Sequence, residues 1–256
     1  VPDSDMGTTG AEIQAMLEAV GIRVARREYR GGSSGLYTAA TVFASARAAA
    51  DARGLALPGC RVAIEGFGRV GLPLARMFVR AGATVVAIAT RRGGVHNPRG
   101  LDVEAAADRV RAGGEAALAA AGLGDPIGAS DLKFVPADVL CPCARHESIT
   151  LGDAGGIEAA VISCGANSPV TPDAERRLWE RGILCVPDFV ANAGGVLGGT
   201  MEFAGWRTAE ILEFCDHRFR PRVASLFEEA NRARRPVRDV AEAFARRRFA
   251  EVKHAA

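Results

Sequence analysis

Short apolar runs and helical patterns alternate through the middle of the chain. Arg61 to Glu65 and Thr84 to Thr90 have the composition of buried strands, and Leu72 to Ala81 between them has the periodicity of a helix. Together they predict a β-α-β unit. Further short strands are predicted at Lys133 to Val135, Val139 to Cys141, Ala159 to Ser163 and Ile183 to Val186. Strands that alternate with helices in this way predict an α/β fold with a doubly wound, Rossmann-like parallel sheet.

Both ends of the chain differ from this middle part. In the N-terminal segment, the spacing of Ile13, Met16, Leu17 and Val20 predicts one face of a helix. A flexible loop is predicted at Gly31 to Gly35, and an alanine-rich helix at Thr38 to Ala52. From Ala193 onward the pattern is almost wholly helical. We therefore predict an N-terminal flanking segment (residues 1–54), a sheet domain (residues 55–193) and a helical C-terminal tail (residues 194–256).

Three segments receive more specific interpretations. Gly93 to Gly100 is predicted as a loop, and Thr171 to about Arg181 is predicted as a helix with proline in its first turn. Phe219 to Ala250 is dense in arginine, and we interpret these arginines as the solvated faces of amphipathic helices.

The first strand of the β-α-β unit runs into a glycine-rich turn. Its residues fit the pattern G-x-G-x-x-G, and they are Gly66, Phe67, Gly68, Arg69, Val70 and Gly71. In this pattern the first glycine permits a tight turn, the second lets the backbone approach a pyrophosphate, and the third lets the helix pack close to the strand. The turn therefore predicts a dinucleotide site. The alternative is a strand-to-helix turn that binds nothing.

Composition and charge exclude several classes of protein. With 48% hydrophobic residues among 256, the chain can bury a large core, but its apolar runs are too short to span a membrane. The 32 basic and 30 acidic residues give a net charge of +2, which does not indicate a nucleic-acid partner. Six irregularly spaced cysteines are typical of reduced thiols, so a cytoplasmic protein is expected.

Cys141, Pro142 and Cys143, with His146 close behind, form a cluster that could suggest a metal site. A zinc site requires a second pair of ligands, which the neighbouring sequence does not provide. We therefore predict a loop at the end of a strand here, and no metal.

Several motifs along the chain occur in a characteristic order. They are Gly66 to Gly71, Gly100 to Asp102, Cys164 to Pro172 and Val186 to Val196. The last two contain G-A-N-x-P and P-D-x-x-A-N-A-G-G-V, which are not general features of nucleotide-binding folds. From about Pro2 to Trp206 the chain resembles the glutamate/leucine/phenylalanine/valine dehydrogenases.

The resemblance implies an enzyme that oxidatively deaminates an L-amino acid to a 2-oxo acid and passes hydride to a nicotinamide. Asp5, just before an x-G-T element that resembles the end of the family's substrate domain, would carry protons to and from the amino nitrogen. Asn167 and Asn192 would hold the nicotinamide ribose and carboxamide, and Thr38 would reach the cofactor. Each of these residues also has a structural alternative, as a helix cap, a loop contact or a buried helix residue.

The end of the second strand bears on the choice of cofactor. NAD-binding folds usually place an acid there for the ribose hydroxyls, whereas this chain has Thr90, Arg91 and Arg92. An arginine pair can bind a ribose 2'-phosphate, so NADP is slightly favoured over NAD; the alternative is a solvated pair. Cys143 and Ala144 complete the predicted cofactor site.

The chain departs from the family in the groups that bind the substrate. The family's substrate lysines lie in an N-terminal lobe, and neither Lys133 nor Lys253 lies in a matching motif. The start at Val1 fits a processed product, or a fragment whose lobe lies elsewhere on another polypeptide. We therefore expect the chain alone to lack activity. Gly199 occupies the position of a serine that contacts the distal carboxylate in glutamate dehydrogenases, which argues against glutamate, although Gly93 to Asn97 resembles the glutamate enzymes locally.

Three functions remain open at this point. The first is the cofactor half of an amino-acid dehydrogenase, a homo-oligomer that acts on an amino acid or a 2-oxo acid. The second is a catalytically silent nucleotide-binding sensor or scaffold, and the third is a different NADP-linked reductase that uses Asp5 or His96. A lysine-bearing lobe encoded upstream would favour the first, whereas cofactor binding without turnover, even with such a lobe, would favour the second.

Overall fold

A computed structural model describes residues 33–119 and 122–255 together with Ala15, Met16, Glu18, Ala19 and Gly21. Met16 of the predicted N-terminal helix face is helical, whereas the other residues of that face lie outside the described part. Within the described residues, no helix is long and apolar enough to cross a membrane. Nor do the described histidines, cysteines and acidic residues form a group that could hold a metal ion.

A seven-stranded sheet lies at the centre of the described structure. Its strands are β1 (Arg61–Glu65), β2 (Thr84–Thr90), β3 (Gly93–His96), β4 (Asp125–Ile127), β5 (Val139–Pro142), β6 (Val161–Ser163) and β7 (Leu184–Val186). Their order across the sheet is β4-β3-β2-β1-β5-β6-β7. The five strands from β2 to β7 in this order are parallel, which confirms the predicted fold class. β3 and β4 extend the sheet as antiparallel strands at one edge.

Helices cover both faces of this sheet. They are α1 (Ser33–Ala52), α2 (Gly71–Arg80), α3 (Val103–Gly113), α4 (Leu151–Ala154), α5 (Pro172–Glu180), α6 (Asp188–Ala191), α7 (Gly194–Phe203), α8 (Thr208–Phe214), α9 (Arg220–Ala233) and α10 (Val237–Ala255). A π-helical turn, Cys215–Phe219, joins α8 to α9. Short 3-10 helices lie at Glu115–Ala119 and Leu132–Phe134. The predicted helical tail is confirmed by α7 to α10.

The central strands read as continuous apolar runs because both of their faces are covered. Val62, Ala63 and Ile64 of β1 are at most 1% exposed, and β2 is buried along nearly its whole length. One apolar cluster packs under α1, α2, α3 and α9, and a second packs under α4 and α5. This two-sided burial is typical of parallel sheets.

The prediction of a loop from Gly93 to Gly100 is wrong in its first half, which forms β3. This strand turns back from β2 and pairs Gly94 with Ala89. Glycine is depleted in strands, yet a Cβ at Gly94 would lie 2.6 Å from the carbonyl oxygen of Ile88. The glycine therefore permits a close approach of two backbones and does not mark a loop.

The predicted strand from Lys133 to Val135 is also wrong, since Leu132–Phe134 forms a 3-10 helix. The amine of Lys133 donates a hydrogen bond of 2.8 Å to the carbonyl oxygen of Ser148, and it lies 2.8 Å from the carboxylate of Asp153. A short apolar run has only a weak intrinsic preference for a strand, and here the amides of Phe134 and Val135 donate to the carbonyl oxygens of Asp131 and Leu132 instead of to a neighbouring strand.

Helix α1 begins at Ser33, earlier than predicted, so Ser33 to Gly35 are not part of a flexible loop. A Cβ at Gly35 would lie 2.6 Å from the carbonyl oxygen of Arg69. The glycine therefore lets the first turn of α1 pack directly against the glycine-rich turn after β1.

Candidate functional site

The five parallel strands end at one edge of the sheet, and the path of the chain reverses there. From β1 the chain proceeds outward to β2, and it later returns to β5 on the other side of β1. Open α/β sheets bind ligands at such a switch point, outside the carboxyl ends of the strands. Gly66 and Ala144 meet at this point, because a Cβ on Gly66 would lie 3.1 Å from the Cβ of Ala144.

The glycine-rich turn lies at the switch point. Gly66 has a φ of +91°, which favours glycine. A Cβ at Gly71 would overlap the carbonyl oxygen of Gly66, so only glycine lets α2 start this close to β1. Gly68 is exposed, and a Cβ there would have no atom of the described residues within 4 Å. The open space at Gly68 is what a ligand needs to approach this backbone.

The N-terminus of α2 faces the same turn. Val70 precedes the helix and provides no side-chain hydrogen bond to its first amides. Such amides, together with the helix dipole, attract anionic groups. The guanidinium of Arg69 donates a hydrogen bond of 3.1 Å to the hydroxyl of Ser34, so this side chain joins the turn to α1. The turn can therefore hold a phosphate group through backbone amides.

Asn167 and Asn192 come from separate segments and meet at the carboxyl edge. Asn167 follows β6, and Asn192 caps the C-terminus of α6. The side-chain amide of Asn192 donates to the side-chain oxygen of Asn167 (2.7 Å) and to the carbonyl oxygen of Ala166 (3.2 Å). Asn167 is exposed, so an amide side chain here is accessible to a ligand at the carboxyl edge of the sheet.

Thr38 lies on α1 beside the segment that carries Asn192. Its hydroxyl donates a hydrogen bond of 2.9 Å to the carbonyl oxygen of Ser34, and it lies 3.0 Å from the position that a Cβ on Gly195 would occupy. The amide of Gly195 in turn donates to the carbonyl oxygen of Asn192 at 3.5 Å. The structure therefore brings the start of α1, the glycine-rich turn and the asparagine pair to one region.

The residues after β2 are partly engaged with the protein itself. The hydroxyl of Thr90 is buried, donates to the carbonyl oxygen of Gly93 (3.2 Å) and accepts from the amide of Arg92 (3.3 Å). The guanidinium of Arg91 donates to a carboxylate oxygen of Glu115 at 3.0 Å. No motif marked Glu115, because this contact depends on the packing of a 3-10 helix against the end of β2.

Cys143 and Ala144 directly follow β5 and lie beside the first glycine of the glycine-rich turn, Gly66. The amide of Cys143 donates to the carbonyl oxygen of Glu65 at 2.7 Å, which continues the pairing of β5 with β1 beyond the strands. Burial raises the pKa of the Cys143 thiol well above its usual range, so the thiol is protonated at neutral pH. Cys143 is therefore suited to pack against a ligand and not to act as a nucleophile.

Asp5, the predicted catalytic residue, lies outside the described residues, and its role stays a prediction. Sequence reasoning also missed an ion network beside the asparagines. Arg238 of α10 contacts Glu175 at 2.7 Å and Asp188 at 3.0 Å. The interpretation of the tail arginines as solvated is wrong for Arg238, whose side chain is only 23% exposed.

Comparison with known proteins agrees with the motifs. The family model of the Glutamate/Leucine/Phenylalanine/Valine dehydrogenases matches residues 31–256. The chain belongs to this family of oxidoreductases.

Alignments with individual relatives show what share of their length this chain covers. It is 38% identical to the glutamate dehydrogenase of Aeropyrum pernix over 174 residues, which are 66% of this chain and 41% of that protein. It is 37% identical to the NAD-specific glutamate dehydrogenase of Staphylococcus aureus over 178 residues, which are 69% of this chain and 42% of that protein. The chain thus spans less than half the length of these curated relatives.

A solved structure gives the same result for the fold. The hetero-hexameric glutamate dehydrogenase of Thermus thermophilus, in its Leu-bound form, superposes with a TM-score of 0.79 at 28% sequence identity. The match covers 93% of this chain and 59% of that one. The similarity therefore includes the helical tail as well as the sheet.

Proposed function

We propose that this chain is the coenzyme-binding portion of a nicotinamide-dependent amino-acid dehydrogenase. One observation supports this proposal most strongly: the glycine-rich turn and the contact between Asn167 and Asn192 lie at the same edge of the sheet. A dinucleotide across that edge would have its pyrophosphate at the N-terminus of α2 and its nicotinamide at the asparagines. The open space at Gly68 supports this orientation, because the backbone there is accessible.

The proposed organisation assigns a role to each part of the chain. Residues 55–193 form the dinucleotide-binding domain, residues 194–256 form a tail that packs on it, and residues 1–54 are the end of a substrate lobe with α1 as the linking helix. We further propose that the complete enzyme is a cytoplasmic homo-oligomer. The Thermus relative, a hetero-hexamer, supports assembly into an oligomer but not the identity of its subunits.

When bound, the nicotinamide supplies the acceptor for the hydride of the amino acid. Asn167 and Asn192 would fix the orientation of its ring through their side-chain amides. The protein would exclude water with Ala144 and the protonated thiol of Cys143, and Asp5 would exchange protons with the amino nitrogen of the substrate.

The substrate carboxylate requires cations that this chain does not offer in the family's positions. Lys133 is only 13% exposed and is held by the carboxylate of Asp153, so its amine already has a structural partner. Lys253 lies near the end of α10. We therefore propose that turnover requires a lysine-bearing N-terminal lobe, and that the substrate is an amino acid other than glutamate because Gly199 lacks a hydroxyl.

We propose that the coenzyme is NAD. The contact between Arg91 and Glu115 places a carboxylate beside the residues that would select NADP, and it uses one of the two arginines. The Staphylococcus aureus relative is named NAD-specific, which also favours NAD. These observations do not support the preference for NADP that was predicted from Arg91 and Arg92. If the protein does bind NADP, Arg92 is the residue that would contact its 2'-phosphate.

Coenzyme reduction with a panel of L-amino acids tests the proposed function. The chain alone is expected to bind coenzyme without turnover, and turnover is expected once a lysine-bearing lobe from a relative is fused or added. Asp5→Asn should then reduce the rate by about a hundred- to ten-thousand-fold. Robust turnover by the chain alone would contradict the proposal. Binding without turnover, even with the lobe, would favour the silent sensor.

A further inference from the structure

The C-terminal helix α10 contributes a partly buried cation to the region behind the asparagine pair. The Nε atom of Arg238 donates to Glu175 (2.7 Å), and its Nη2 atom donates to the Oδ1 atom of Asp188 (3.0 Å). The ring of Phe189 lies against the same guanidinium, with its centroid 5.3 Å away. Three separate contacts therefore fix the orientation of Arg238.

Asp188 connects this cation to both asparagine-bearing segments. Its Oδ2 atom accepts a hydrogen bond of 2.9 Å from the amide of Ser168, which directly follows Asn167. Its carbonyl oxygen accepts a hydrogen bond of 2.8 Å from the amide of Asn192. Ser168 has a φ of +45°, a conformation that a non-glycine residue adopts only when neighbouring contacts hold it. The carboxylate of Asp188 is one of those contacts.

The charges of this network do not make it a strong source of stability. Two carboxylates share one guanidinium, and the second oxygen of Glu175 is buried without a hydrogen-bond partner among the described residues. Burial raises the pKa of Glu175, although Arg238 opposes this effect. Buried ion pairs of this kind contribute little net stability compared with apolar packing. The main effect of the network is therefore to fix the relative positions of the segments that it joins.

We propose that Arg238 is a positioning residue for the nicotinamide half of the coenzyme: through Asp188 it holds Asn167 and Asn192 in the register in which their amides meet. This inference rests on the proposed function, because it assumes that the asparagine pair contacts the nicotinamide half. It assigns a role in coenzyme binding to the helical tail, which lies outside the glycine-rich and asparagine motifs.

Two ligands distinguish positioning from general support of the fold. NADH reaches both the glycine-rich turn and the asparagines, whereas ADP lacks the nicotinamide together with its ribose and reaches only the former. Arg238→Met should weaken NADH binding about tenfold, the equivalent of one lost hydrogen bond, and leave the affinity for ADP within about twofold. Arg238→Lys, which keeps the charge but offers a single donor nitrogen in place of two, should recover part of the loss. Calorimetry on the intact chain measures the affinity of the parent and of both variants for each of the two ligands.

Arg235→Met is the matched control, because Arg235 precedes the same helix and its side chain is 53% exposed in its ion pair with Asp239. This variant should bind both ligands like the parent chain. If Arg238→Met does not fold, Asp188→Asn provides the same test, since asparagine replaces one of the two carboxylate oxygens that accept from Arg238 and Ser168 with a donor NH2 group.

The outcomes separate the inference from the proposed function. Equal weakening of NADH and ADP binding, or no change in either, would overturn the positioning role while leaving coenzyme binding intact. Failure of the unmodified chain to bind NADH would overturn both.

Discussion

The side-chain amide of Asn192 donates a hydrogen bond of 2.7 Å to the side-chain oxygen of Asn167, although the two residues follow different strands of the sheet. If the pair holds the nicotinamide half, removing one amide should weaken coenzyme binding. We predict that Asn192→Ala lowers the affinity for NADH about tenfold, as expected for a lost hydrogen bond. Asn231→Ala, an exposed change on α9, should have no effect. Equal NADH affinities of the two variants, measured by fluorescence titration, would contradict this role.

Glu115 should influence the choice between the two coenzymes. Glu115→Gln removes the negative charge beside Arg91 and should raise the affinity for NADPH relative to NADH by roughly threefold to tenfold, because the freed guanidinium can pair with a 2'-phosphate. Glu180→Gln is a matched control, since Glu180 is also exposed and paired with an arginine, Arg177. The ratio of the two dissociation constants is the measurement. An unchanged ratio would exclude Glu115 and Arg91 from the selection of the 2'-phosphate.

Helix α7 contains two adjacent glycines with opposite environments. A Cβ at Gly198 would overlap the ring of Tyr37, whereas a Cβ at Gly199 would meet no atom of the described residues within 4 Å. We predict that Gly198→Ala destabilises the fold by about 1–3 kcal/mol, because overpacking outweighs the helix preference of alanine. Gly199→Ala should stabilise it by about 0.5–1 kcal/mol. Urea unfolding measures both free energies, and equal effects would contradict the packing of α1 against α7.

The ion pair between Lys133 and Asp153 should be sensitive to acid. Burial alone raises the pKa of Asp153, but hydrogen bonds from Lys133 and Thr150 outweigh it and lower the pKa below the ordinary value of 3.8. The stability gained from the ionised carboxylate is therefore present at neutral pH and is lost as the pH falls below about 4. Asp153→Asn should cost about 1–3 kcal/mol at pH 7 and less at pH 3.

The control for this pH dependence is Asp108→Asn. Asp108 pairs with Arg111 on α3, but both side chains are about 70% exposed, so the change should cost less than about 0.5 kcal/mol at either pH. A cost for Asp153→Asn that is the same at pH 3 and pH 7 would contradict the assigned contacts of its carboxylate.

The sequence predicted the parts of the fold that depend on local pattern. The β-α-β unit around Gly66 to Gly71 was predicted because strand, turn and helix each have a local signal at the right spacing. The strand β3 was missed because Gly93 and Gly94 disfavour strands locally, and the glycine at position 94 is explained only by the close approach of Ile88 and Ala89 in β2. The edge strand β4 contains a proline, which edge strands tolerate but which weakens any sequence prediction of a strand.

The contacts that complete the site depend on distant parts of the chain. Arg238 and Asp188 meet only because α10 returns across the sheet edge, and Arg91 meets Glu115 only because a 3-10 helix packs beside β2. An arginine in a polar helix pattern gives no local sign of burial, since most such arginines are solvated. The motifs marked the individual candidate residues, but they did not mark the distant side chains that contact them or their neighbouring segments.

The central claim is that a dinucleotide binds over the glycine-rich turn, and Gly68 tests it most directly. Gly68 and Gly155 are matched glycines, because both are exposed and a Cβ on either would meet no atom of the described residues within 4 Å. Calorimetry with NADH should show that Gly68→Val abolishes binding while Gly155→Val binds like the unmodified chain, with both variants retaining the parent's melting temperature. Undiminished NADH binding by a folded Gly68→Val variant would contradict the account.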